Sequence, residues 1–216
     1  MIKENEFKEL VKDIDIDLLG CVNNLRSMSK TIDIYEYHKS EAYRLIKEIE
    51  PKSHLEKMKF VWQPSKEMRR KKLLIQAHIQ AAIYNSRALY DIFSHLINKV
   101  VLDGKIKVNY CSIDKVLNHL PAGSLKAALD LSIRTDAYLY VNAFVNTIKH
   151  RDLVETSSSI DFVNNRFGIK FIGFNYKEEP FESLWAIDVL ERSFNVKNNV
   201  IDLFKVFKNG LVEGFV

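Results

Sequence analysis

Residues able to move a proton or hold a phosphate gather in one stretch of this chain. Asn142, Asn146, Lys149 and His150 recur at spacings of three and four, so on a helix they share one side, with Arg151 beside them. An imidazole titrates near physiological pH, and cations beside it can stabilise a phosphate, so the set suits proton transfer at, or capture of, a nucleic-acid backbone. An inert account fits the same residues. Cations in a last turn complement the helix dipole, and asparagines satisfy buried polar groups. From spacing alone the two accounts are evenly matched.

A second row of polar groups lies further up the chain. Gln76, Gln80, Tyr84, Arg87, Asp91, Ser94, His95 and Asn98 fall within about a third of a helix circumference. Arg87 and Asp91 are four apart and can pair. On a lone helix a solvated face is the better account. Two helices carrying such rows could instead set them against each other, and the expectation is that Arg87 and Asp91 approach the 146–151 turn. There Asn146 would orient groups, His150 and His95 are the candidate proton carriers, and Lys149 and Arg151 would attract phosphate. The run Arg69-Arg70-Lys71-Lys72 is the densest positive patch and a further phosphate contact if RNA binds.

The elements that must position these groups read as helices. Residues 134–155 form one, with Ala137, Val141, Phe144, Val145 and Ile148 as its core stripe. Residues 65–102 form a long spine capped by Ser65, with Ile75, Ile79, Ala82, Tyr90, Phe93, Ile97 and Val100 facing inward, and Asp103-Gly104 stops it. Ahead of it, residues 4–28 are one helix or a pair broken near Gly20. Residues 29–33 read as a break, residues 35–49 as a second helix, and residues 53–64 as irregular or a short turn of helix, with Trp62 plugging the core. Ser112 caps a short helix to Leu120, and a turn leads to another over 124–131. Residues 157–163 and 168–176 then read as a β-hairpin around Asn164-Asn165-Arg166-Phe167, with Gly173 as a bulge. A final helix spans 183–208. The expected fold is all-α, a helical bundle with one small β-hairpin before the C-terminal helix.

Composition narrows the classes. With 32 basic and 28 acidic residues the net charge is +4, so a nucleic-acid surface has to come from local clustering. Seven glycines cannot supply a Walker or dinucleotide loop, and neither His-Glu-x-x-His nor Cys-x-x-Cys occurs, so no metal and no cofactor is expected. Cys21 and Cys111 are isolated, which suggests a reduced, intracellular chain. The N-terminus has no apolar signal core and no run approaches the ~18 apolar residues of a membrane span, so a soluble, cytoplasmic protein is expected. No linker or repeat divides the chain.

At VNAFVNTIKHRDLV the chain resembles bacterial members of the HEPN superfamily, with Asn146-Thr147-Ile148-Lys149-His150-Arg151 as the most specific piece and residues 65–207 as its extent. The resemblance implies a single HEPN-like helical domain over residues 1–216, with 1–64 as an N-terminal helical extension packed on it, and a homodimer forming its cleft between two copies. Nuclease members carry an Arg, then four to six residues, then a His on one helix. No Arg here has a His at that spacing, and Asn146 stands where that Arg would fall. The implied function is therefore binding of RNA or nucleotide at a non-catalytic or degenerate site, in phage defence or beside an antitoxin or other partner protein. A metal-independent ribonuclease toxin, with Arg87, Lys149 or Arg151 as the cation beside His150, is one alternative. A structural dimerisation protein is the other.

Overall fold

Eight α-helices make up most of the described chain, and a small set of antiparallel strands lies between the last two in sequence. This computed structural model describes residues 3–51 and 53–213. The mostly helical expectation holds. The strand content is larger than one hairpin.

The N-terminal third is where sequence reading and structure part. Helix α1 is Glu4–Leu10, and α2 runs unbroken over Leu18–Glu48. The break lies at residues 11–17, neither at Gly20 nor at 29–33. Alternating Asp13, Asp15 and Asp17 interrupt the helix there, and Asp17 then accepts the Gly20 N–H at 2.9 Å to start α2. Ser29 and Thr31 are middling helix formers, but Cys21, Leu25, Met28, Tyr35, Ala42, Leu45 and Ile49 are all buried at helical spacing through them. Burial of a continuous stripe outweighs local propensity. Of the two readings of residues 53–64, the helical one is found. Ser53 accepts the Glu56 N–H at 3.2 Å and caps α3, His54–Trp62. Its core residue is Phe60, 3% exposed, whereas Trp62 is 62% exposed and plugs nothing.

The spine is α4, Lys66–Val100, capped by Ser65 Oγ on the Met68 N–H and stopped at Asp103 and Gly104, both with positive φ. Every residue of its expected apolar stripe is buried. A 3-10 turn, Val108–Tyr110, leads to α5, Ile113–His119, capped by Ser112, and to α6, Ser124–Ile133. Helix α7, Asp136–His150, is shorter than expected at both ends. Arg134 closes α6, the Thr135 hydroxyl accepts the Tyr138 N–H at the start of α7, and Arg151 has already left it.

Strands β1, Thr156–Asp161, and β2, Arg166–Phe171, pair over their whole length, from Thr156 opposite Phe171 to Asp161 opposite Arg166. The turn is therefore residues 162–165, earlier than expected, because Asp161 Oδ1 accepts the N–H groups of Val163 and Asn164. Strands β3, Phe174–Tyr176, and β4, Glu179–Phe181, form a second hairpin. Then β5, Leu184–Trp185, returns to β2. Gly173 is no bulge; it separates β2 from β3 and donates its N–H to Ser183 Oγ at 2.9 Å. Helix α8, Ala186–Glu213, follows, with Trp185 outside it.

The chain divides into two compact units. One holds residues 1–33, 85–139 and 194–216. Its core includes Phe93 against Phe204 and Phe207, and the Asn98 side chain bonds both the N–H and C=O of Ile106. The other holds Ile34–Tyr84 and Tyr140–Ser193. There Tyr140, Phe144, Phe171, Phe174 and Phe181 form one aromatic cluster beneath the strands, and Tyr35 bonds Ser193 at 3.3 Å. No described helix is long and apolar enough to cross a membrane.

Candidate functional site

The C-terminal end of α7 carries Asn142, Asn146, Lys149 and His150, with Arg151 just beyond, all in the unit of residues 34–84 and 140–193. The buried side of this helix is Val141, Phe144, Val145 and Thr147, which fixes the opposite side toward solvent. Asn142 and Asn146 are half-buried, and Lys149, His150 and Arg151 are exposed. The Asn146 amide donates back along the helix, to the Asn142 carbonyl at 2.8 Å and to its side-chain oxygen at 3.2 Å. Its donors are thus engaged within α7, which leaves its oxygen as the group it can offer.

Lys149 and Arg151 face rings rather than carboxylates. Lys149 Nζ lies 5.0 Å from the centre of the Tyr84 ring, and Tyr84 is 51% exposed. The Arg151 guanidinium lies 5.8 Å from the Tyr176 ring centre and donates to the Asn175 carbonyl at 3.3 Å, tying the end of α7 to the β3–β4 hairpin. Among the described residues neither Lys149, His150 nor Arg151 takes part in an ion pair. Cations held over tyrosine faces keep their positive charge available to a phosphate.

The basic run at the start of α4 is smaller than its sequence suggests. Lys72 is spoken for: it donates to the Phe60 carbonyl at 2.9 Å and to Ser158 Oγ, and lies 3.9 Å from the Phe60 ring centre. Burial, with Arg69 nearby, pulls its pKa below the usual lysine range. Lys71 pairs with Glu48 and Glu67. Arg69 and Arg70 remain as exposed cations.

Arg87 and Asp91 belong to the other unit. They pair at 2.6 Å, the Arg87 side chain being 14% exposed and lying 5.7 Å from the Tyr138 ring centre. Within this unit Tyr90 also bonds Ser132 at 2.5 Å, and His95 is half-buried. Ser94 donates to its own helix at the Tyr90 carbonyl, 2.7 Å away. Much of the polar row of α4 in this unit is therefore engaged in internal bonds.

Sequence reasoning placed Tyr84 on a polar row but did not see it as the partner of Lys149. The signal was thin: one tyrosine among glutamines on α4. Asn175 and Tyr176 were read only as the end of a strand. Both Cys21 and Cys111 are free thiols; burial pushes the Cys21 thiol up to about 11, far from a nucleophile's range. Among the described residues no group of three or more His, Cys, Asp or Glu is arranged to hold a metal ion. Comparison with known proteins finds no matching family model, no matching curated protein and no matching solved structure.

Proposed function

We propose that this chain is a HEPN-like protein that binds single-stranded RNA or nucleotide at the end of α7 without cleaving it. The observation that supports the reading is the pairing of exposed cations with tyrosine faces, Lys149 with Tyr84 and Arg151 with Tyr176, in place of carboxylates. Single strands are held by cations that track phosphates and by rings on which bases stack. Lys149 and Arg151 supply the first and Tyr84 and Tyr176 the second. His150, exposed between the two cations, completes the surface as a hydrogen-bonding group. The resemblance at VNAFVNTIKHRDLV carries the rest of the proposal: a homodimer, and an antitoxin or defence partner protein.

The test is fluorescence anisotropy with short labelled single-stranded RNAs in EDTA, followed by gel analysis of the same RNA. Binding that weakens steeply with salt, and that Lys149→Glu with Arg151→Glu abolishes while the melting temperature holds, supports the reading. No binding at low salt removes it. Intact RNA after long incubation agrees with a binding role. Cleavage lost in His150→Ala would instead make the protein a metal-independent ribonuclease. Sedimentation at twice 25.2 kDa is expected for the dimer, and a monomer at high micromolar concentration would rule that part out.

A further inference from the structure

A second candidate site lies in the same unit, away from the end of α7 in its lining. A cavity of about 540 Å³ is bounded by the last turns of α2, by Lys57 of α3, by the start of β2, and by the junction of β5 with α8. Its size falls within the ~300–1,000 Å³ of small-ligand pockets. Three rings, Tyr43, Phe167 and Trp185, and the side chains of Ile46 and Ile187 give it apolar walls. Gly168 lines it too, and no atom lies within 4 Å of where its Cβ would be, so a flat body can rest against bare strand backbone.

The charges are specific in number. Among the described residues Lys47, Lys57 and Arg166 line the cavity with one carboxylate, Glu50. Arg166 is committed to Asp188 at 2.7 Å and lies 5.1 Å from the Trp185 ring centre. Lys57 donates to the Asn165 side-chain oxygen at 3.1 Å, and Lys47 is in no ion pair among the described residues. Beyond the lining, Lys170 lies 4.6 Å from the Trp185 ring centre and Glu191 acts on Tyr43, so four cations against Glu50, Asp188 and Glu191 leave one positive charge. A ring-lined space with mixed polar and apolar walls and one unbalanced cation is matched by a flat ring ligand with one anion.

We propose that this cavity binds a small aromatic acid, its ring among Tyr43, Phe167 and Trp185 and its anionic group at Lys47, with Lys57 turning from Asn165 to join it. The site stands apart from the RNA surface, and neither reading needs the other. The acid can be a carboxylate or a phosphate monoester, and both are included in the test.

The chain has two tryptophans, Trp62 and Trp185. In a Trp62→Phe background the remaining emission therefore reports on the cavity wall. Naphthoate and naphthyl phosphate are titrated against naphthamide, which has the ring but no charge, and acetate, which has the charge but no ring. The expected result is saturable quenching by one or both acids, with the amide and acetate each at least about tenfold weaker. The better acid identifies the anion. Lys47→Glu and Lys57→Glu should each weaken the acid about tenfold and leave the amide unchanged, and Ile46→Phe should weaken all ring ligands by filling the space. Calorimetry on the unmodified protein checks the stoichiometry of one per chain. The proposal is overturned if the amide equals the acids, if acetate equals them, if none binds at millimolar concentration, or if Lys149→Glu rather than Lys47→Glu removes binding.

Discussion

Arg87 donates to Asp91 across one turn of α4 at 2.6 Å, from a side chain that is 14% exposed. Burial works against the Arg87 charge, but Tyr138 and Asp91 beside it more than offset that, and its pKa stays above the usual value. Asp91 is 45% exposed, so water screens the pair and its contribution is about 0.5–1 kcal/mol. Asp91→Ala should therefore lower stability by roughly that amount in urea denaturation, and Arg87→Met, which removes the charge and keeps the packing, by less. An unchanged urea midpoint in Asp91→Ala would mean that the pair contributes nothing to the fold.

At the end of α7 two kinds of contact should separate by salt. Lys149→Ala and Arg151→Ala should each reduce the slope of log affinity for single-stranded RNA against log salt by about 0.7, as one phosphate contact is lost. Tyr84→Ala should weaken binding by about 1–3 kcal/mol at every salt concentration with no change in slope, since stacking is not ionic. If Tyr84→Ala changes only the slope, the ring acts by placing Lys149 and not by stacking.

Alkaline stability should report on the buried tyrosines. Burial, partly offset by its bond to Ser132 and by Arg87, pushes the Tyr90 phenol from 10.0 up to about 12. Tyr35, Tyr138 and Tyr140 are raised in the same direction, burial again being the main cause. The unfolded chain then loses these protons first. Stability is fully present below pH 10 and falls as pH rises through the Tyr90 value. Melting curves from pH 9 upward should show that fall. Tyr90→Phe should start lower at neutral pH, for want of the Ser132 bond, but decline less steeply above ~10. A parallel decline would leave Tyr90 out of the transition.

The β3–β4 turn offers a gain. Lys177 and Glu178 both hold positive φ, 50° and 68°, a conformation that side-chain-bearing residues adopt at a cost. A two-residue hairpin turn of this kind favours Asn-Gly. Lys177→Asn with Glu178→Gly should raise the thermal midpoint, because relief of the left-handed strain, about 1–2 kcal/mol per residue, outweighs the added freedom of glycine in the unfolded chain. A loss would mean that the present side chains hold the turn, and the Lys177 ammonium 5.5 Å from the Tyr176 ring centre is where to look.

The helices that carry the candidate groups were legible because their signals are local. Ser65 and Ser112 cap where expected, and the stripe from Ile75 to Val100 is buried in full. Residues 29–33 misled because propensity is a statement about a few residues, while α2 is held by a stripe that begins before them and ends after them. Strand β3 was read as the end of β2, and β4 and β5 were missed, because two- and three-residue strands have no periodicity to read. The cations of α7 were identifiable, but their tyrosine partners come from α4 and β3, and no spacing rule links Lys149 with Tyr84, 65 residues away, or Arg151 with Tyr176, 25 residues away. Lys72 shows the reverse failure: a run of charge reads as solvated, yet one member is drawn inward by the Phe60 carbonyl and Ser158.

The strands between α7 and α8 are nested. β3 pairs with β4 inside the loop that β2 closes with β5, and β1 pairs with β2 just outside it. Every partner is thus found within a short length of chain, and loop closure, which slows folding when pairing partners are far apart, is small at each step. Gly173 is the joint of this nest. A Cβ there would meet the Phe181 carbonyl at 2.8 Å, so the inner hairpin can fold back only over a bare backbone. Extra residues at the two outer tips, 162–165 and 177–178, would leave the ladders in register. A side chain at 173 would force the inner hairpin off the outer one and carry Asn175 and Tyr176, the partners of Arg151, with it.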